Sequence, residues 1–189
     1  MDRRTLLPAL VVLALAFLQA IVIPNINDAI TEKDVTTAGD VIAVQDGITF
    51  TAAAGWSLVS GERRSDEPTR AGYPASAVLT RGGAQFVVRT GKFTGDPSAL
   101  LAQIERTDAA LKGAFTATGD PVAIVARTGE PGVITKYAAP GADGVLAAFV
   151  FGSTGVEVIA VGPAQPGHDL LTEVGQMIAD IGSTGQETK

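Results

Sequence analysis

The feature that most limits the folds open to this chain is the punctuation of its apolar runs by two-residue turns. "DVIAVQ" (40–45) and "ITFTA" (48–52) flank Asp46-Gly47, and "SAVLTR" (76–81) and "AQFVVRTGKF" (84–93) flank Gly82-Gly83. "GVLAAFVFG" (144–152) and "GVEVIAVG" (155–162) meet across Ser153-Thr154, with glycine on each side. Tight hairpins need positive φ at the turn, and Gly and Asp reach it at least cost. These pairs therefore predict antiparallel strands joined directly rather than parallel strands with crossover helices. "VLAAFVF" is apolar without alternation, which predicts a central strand covered on both faces.

The remaining runs extend the pattern. "WSLVSG" (56–61) reads as a continuation of the second run beyond Gly55, followed by a polar loop, "ERRSDEPTRAGYPA" (62–75). "VAIVAR" (122–127) and "GVITKYAA" (132–139) read as strands of a meander. Two segments carry helix grammar instead. In 95–113, Asp96 is placed to N-cap, Pro97 suits the first helical position, and Gly113 suits the left-handed residue past the end. Leu100, Leu101, Ile104 and Leu111 fall on one side of that helix. In 167–183, Leu170, Leu171, Val174, Met177, Ile178 and Ile181 recur at helical spacing, and Gly182 marks the stop. The expected fold is α+β: an antiparallel sheet of about six to eight strands packed with two main helices, one on each face or both on one.

Residues 6–23 form a different kind of segment. They carry no charge, and Gln19 is their only strongly polar side chain. As a helix the run would reach about 27 Å, close to the ~30 Å hydrocarbon core of a bilayer. Arg3 and Arg4 precede it, and Asp28, Glu32 and Asp34 follow, so the positive-inside bias puts the N-terminus in the cytoplasm. A cleaved signal peptide is the competing reading, but "FLQA" is a poor cleavage site and the apolar run continues past it. The expected organisation is a cytoplasmic N-terminus (1–5), a transmembrane signal anchor (6–24), a polar tether (25–39), an extracytoplasmic domain (40–183) and a loose tail (184–189).

Chemistry is scarce. A net charge of -6 without a basic stripe argues against nucleic acid. The absence of cysteine removes disulfides, thiol nucleophiles and thiolate metal sites, and a single histidine, His168, leaves no His-pair metal site. His168 reads as an exposed residue at a helix start. No G-x-S-x-G, Walker A or G-x-G-x-x-G pattern occurs, and none of the 20 acids is singled out as a catalytic pair. The two "TGDP" stretches (94–97 and 118–121) read as turns. No cofactor, metal or catalytic residue is expected, and the chain reads as a non-enzyme. Candidate partner-binding residues are Arg63, Arg64 and Arg70, whose guanidinium groups suit carboxylate or phosphate, with local charge pairing as the alternative. Trp56, the only tryptophan, is the fourth: a stacking platform for a ligand, or a plug closing one end of the core.

Gly55-Trp56 after a strand, a long helix after the second hairpin and a closing helix together resemble the PsbP-like fold family. That family includes a photosystem extrinsic subunit, a nuclear-transport Ran-binding factor and LpqN-like exported lipoproteins of actinobacteria, and the resemblance covers about residues 40–183. It implies an α+β domain that serves as a non-catalytic binding or assembly module. The chain departs from the pattern in having "AAAGW" without a proline before Gly-Trp, and an anchor segment in place of a lipid-bearing cysteine. No ligand-contacting residue carries over. The expected function is that of a single-pass, membrane-anchored extracytoplasmic module in a cell envelope of actinobacterial type, acting through contacts with envelope proteins. The alternative is a carrier of lipid or a small apolar ligand, because an Ala- and Val-rich sheet leaves room beneath a helix. A hydrolase with an unrecognised site is the remote third.

Overall fold

The computed structural model describes residues 34–66, 68, 72–110, 116–139, 142–163 and 167–184. The anchor segment, the first part of the tether, Arg70, the expected helix end at Leu111 to Gly113 and nearly all of the tail lie outside these residues. Among the described residues no helix is long and apolar enough to cross a membrane.

The chain begins with a short hairpin, β1 (Val41–Ala43) and β2 (Ile48–Thr51). Its connection is a three-residue 3-10 turn, Gln45–Gly47, rather than a two-residue one, closed by the Val44 N–H donating to the Ile48 carbonyl, and Asp46 (φ 61°) and Gly47 (φ 73°) in it are left-handed. The second run does not continue as one strand. Gly55 turns the chain with φ 82°, and β3 (Ser57–Ser60) leaves for a different sheet. The expected polar loop also holds a strand, β4 (Glu62–Arg63), paired with β1. Arg63 explains it: its side chain reaches Asp40 at 2.9 Å and also bonds Asp34, stitching this segment to the hairpin entry.

The second hairpin is β5 (Ser76–Arg81) and β6 (Ala84–Lys92), with Arg81 opposite Ala84 across Gly82-Gly83. Helix α1 (Pro97–Ala110) follows, and the Asp96 carboxylate caps it by accepting from the Ala99 N–H at 2.8 Å. Then come β7 (Thr116–Ala117), β8 (Val122–Val125), β9 (Pro131–Ala139), β10 (Ala142–Phe151) and β11 (Thr154–Pro163). The β10–β11 turn is Gly152-Ser153, one position earlier than the sequence suggests, because Gly152 is the residue that takes positive φ (62°). Helix α2 (His168–Ala179) ends three residues short of Gly182. Gly182 and Ser183 form β12 instead, which joins β2.

Among the described residues all pairings are antiparallel, in two sheets rather than one. The large sheet runs β3-β5-β6-β11-β10-β9, with β7 and β8 both along the outer edge of β9; the small one runs β12-β2-β1-β4. β10 lies between β9 and β11 and is covered on both faces, as its unbroken apolar run predicts. Ala147 and Phe149 face the small sheet and α2, in one cluster with Ile42, Phe50, Trp56, Phe86, Met177 and Ile181. Leu146 and Ala148 face α1, packing with Leu100, Leu101, Val133 and Tyr137. The period-2 alternation thus sorts one strand's residues between two cores, with a helix on each face. Two glycines make room for rings: a Cβ at Gly132 would lie 2.5 Å from the Phe149 ring, and one at Gly144 would lie 2.6 Å from that of Tyr137.

Candidate functional site

Helix α2 is not uniformly seated. Met177 and Ile178 at its C-terminal end, and Ile181 just beyond it, are buried against the core, whereas Leu170 and Val174 are half-buried and Leu171 is 57% exposed. The sheet beneath explains the difference. Along β11 the side chains on this face shrink from Val156 and Val158 to Ala160 and Gly162, and Ala84 on β6 is small as well. Under its first two turns the helix therefore packs less closely on the sheet. A cleft of about 450 Å³ remains there, within the 300–1,000 Å³ typical of small-ligand sites. Ile134 and Val145 form its floor, and Leu170, Val174 and Ile178 form its roof.

The roof contains Gly175, a residue that costs a helix interior about 1 kcal/mol relative to alanine. Nothing lies within 4 Å of where its Cβ would be, so the glycine relieves no clash. The rim carries the charge. Lys136 on β9 lies opposite Val145 on β10, and Asp143, two residues before Val145, shares that face. Both line the opening, with Thr118 beside them. The ion pairs among the described residues join Arg63 to Asp34 and Asp40, Arg81 to Glu173, and Arg127 to Asp180; Lys136 and Asp143 take part in none of them.

The far flank of α2 is pinned. The Trp56 indole N–H donates to Glu173 Oε2 at 2.9 Å, and Arg81, at the end of β5, bonds the same carboxylate. Burial works against the charged form of Glu173, but the indole and guanidinium outweigh it and hold the carboxyl below its usual range. Trp56 has no exposed surface and meets Phe86 edge-on with centroids 6.4 Å apart. Its ring closes the core between β3 and α2, and its single polar atom is spent on the helix. The segment entering the domain is fixed alongside: Thr36 Oγ1 donates to the Ala53 carbonyl at 2.6 Å and accepts from the Trp56 N–H at 3.1 Å.

The candidate residues taken from the sequence do not converge. Arg63 is held by Asp34 and Asp40 at the edge of the small sheet, and Arg64 is exposed nearby, its backbone N–H bonded to Val41. The Thr37 backbone N–H, then Arg63, keep the Asp40 carboxyl below its usual range. Neither arginine nor Trp56 lines the cleft. His168 is exposed at the start of α2, and the described residues contain no cluster of His, Asp and Glu able to hold a metal ion.

No family model matches the chain, and no curated protein sequence matches it. Solved structures do. The cyanobacterial PsbP protein CyanoP from Synechocystis sp. PCC 6803 superposes with a TM-score of 0.54 at 10% identity, over 78% of this chain and 95% of that one. The fold is PsbP-like. A point mutant of the protein Mog1 superposes at 0.51 with 11% identity, over 78% of this chain and 96% of its own. The Ran-binding protein Mog1p of Saccharomyces cerevisiae reaches 0.48 at 11% identity, over the same shares. At such identities the likeness concerns backbone architecture, and the cleft's tapering floor, Gly175 and the Lys136–Asp143 rim stand on this chain's own residues. Sequence reasoning missed them, although one signal was there to read: small residues at successive inward positions of β11 opposite a helix with an interior glycine.

Proposed function

We propose that this protein is a non-catalytic binding module held on the outer face of a cell membrane, and that it works by seating an apolar group in the cleft between α2 and the large sheet. The cleft carries the reading: it is lined by Ile134, Val145, Leu170, Val174 and Ile178, opens to solvent, and has in its lining a helical glycine that stability alone disfavours. The membrane placement rests on residues 6–24 as a single-pass anchor with a cytoplasmic N-terminus. Its resemblance to LpqN-like exported proteins supports a membrane-anchored relative of that group, in an actinobacterial type of envelope.

Filling the cleft tests the reading. Gly175→Leu places a side chain in open space and improves helix propensity, so the variant folds. Native mass spectrometry of the full chain released from membranes should find small apolar adducts on the wild type and lose them in the variant. Equal adducts on both would overturn the reading, and a bulk domain protected by the cytosol in protease-accessibility assays would overturn the placement.

A second reading, docking to an envelope protein, is favoured by β8. Among the described residues this strand pairs only with β9, and Val122 and Val125 are 61% and 65% exposed. An apolar open edge of that kind templates strand addition. Val125→Lys should abolish recovery of envelope partners in membrane pull-downs; unchanged recovery would remove this reading.

A further inference from the structure

Resting on the cleft reading, we propose that the occupant is a zwitterionic amphiphile, a membrane lipid whose phosphate meets Lys136 and whose ammonium meets Asp143 while its acyl chain lies under α2. Three features of the site select this class. The interior offers only apolar side chains and glycine to a ligand over most of its length, which suits a hydrocarbon chain. The opening carries one cation and one anion, on adjacent strands and on the same sheet face. Diagonal neighbours of that kind lie about 7–8 Å apart, somewhat less at Cβ, within reach of each other's long side chains. Yet they form no ion pair with one another or with any described residue.

The headgroup follows from charge matching. A fatty-acid carboxylate would satisfy Lys136 and be repelled by Asp143, and an alkyl ammonium would do the reverse. A neutral sugar head would use neither charge. Only a head with both signs satisfies the two rim residues together, and the exposed Thr118 beside them supplies a hydroxyl. Because both charges sit at the exposed rim, the chain supplies most of the affinity and the head supplies the choice of ligand. Each methylene buried should tighten binding about fourfold, whereas reversing one rim charge should change headgroup preference on the order of fivefold.

The test uses the full chain in phosphatidylglycerol nanodiscs doped with photoactivatable acyl probes that differ only in their heads: phosphoethanolamine, carboxylate, ammonium or glucoside. After illumination, adducts on residues 168–179 and 131–145 are quantified as a share of all adducts on the chain. The phosphoethanolamine probe should label these residues several-fold more than the others. Lys136→Glu should shift the preference to the ammonium probe, and Asp143→Lys should shift it to the carboxylate probe. Equal labelling by all four heads, or variants that leave the preference unchanged, would overturn the headgroup assignment while leaving the cleft as an apolar site. Absence of adducts on these residues with every probe, while other residues are labelled, would overturn the cleft reading itself.

Discussion

Trp56→Phe isolates what holds the roof of the cleft in place. The substitution keeps an aromatic ring in a site with no solvent exposure and removes the N–H that reaches Glu173 from 117 residues away in sequence. A hydrogen bond to a charged group contributes about 1.5–3 kcal/mol when buried, and the lower end applies because the Glu173 side chain is 23% exposed. Losing the indole's extra ring area adds about 1 kcal/mol. The expected cost is therefore about 2–3 kcal/mol, or a urea midpoint lower by about 1 M at typical slopes. Glu173→Leu removes both the acceptor for the indole and the attraction to Arg81, and should cost about 2 kcal/mol. If the two side chains act as one latch, the double variant is less damaged than the sum of the singles, with a coupling of at least 0.5 kcal/mol. Urea unfolding of the full chain, followed by far-UV circular dichroism, reads all four corners of the cycle. A Trp56→Phe cost below about 0.5 kcal/mol, or additivity within about 0.3 kcal/mol, would refute the latch and leave α2 held by its C-terminal apolar contacts alone.

Acid should weaken the fold through two carboxylates. Asp40 and Glu173 both titrate below their unfolded values, so their contribution is complete above about pH 5 and disappears as pH falls through the lower folded values; Glu173→Gln should flatten this decline in a series of urea midpoints. Gly144→Ala would put a Cβ 2.4 Å from the Ala160 carbonyl oxygen, a backbone atom that cannot swing aside, and should cost about 2–3 kcal/mol by the same assay. Arg89 faces Glu157 across β6 and β11, and its burial lowers the guanidinium's pKa while Glu157 partly opposes that. Glu157→Leu should therefore cost about 3 kcal/mol, and thermal melts should show much of this loss recovered when Arg89→Met is added.

The architecture was legible wherever one local rule decided it. Asp46-Gly47 and Gly82-Gly83 fixed two hairpins because no bulkier pair takes left-handed φ so cheaply, and Asp96-Pro97 fixed a helix start. What failed were features set by partners distant in sequence. The break after Thr51 depends on Trp56 plugging a core shared with Phe86 and Glu173. β4 sits in a stretch with the composition of a loop because Arg63 finds Asp34 and Asp40. Gly182 reads equally as a helix stop and as the start of an edge strand, and only the open side of β2 decides for β12.

The candidate site was less legible for a related reason. Sequence reasoning looks for side chains that do something, such as guanidinium groups or a lone indole, and here those groups hold the scaffold: Arg63 anchors an entry segment, and Trp56 fastens a helix. The cleft is made by what is missing at Ala84, Ala160 and Gly162, so it appears only once strand register sets these positions under one helix. The two findings are connected. A helix whose first two turns rest on small residues needs another hold, and Glu173 supplies it on the flank opposite the opening. The latch lets α2 stand away from the sheet over the cleft without peeling off, so the chemistry-bearing residues serve the site indirectly, by keeping its roof at a fixed height.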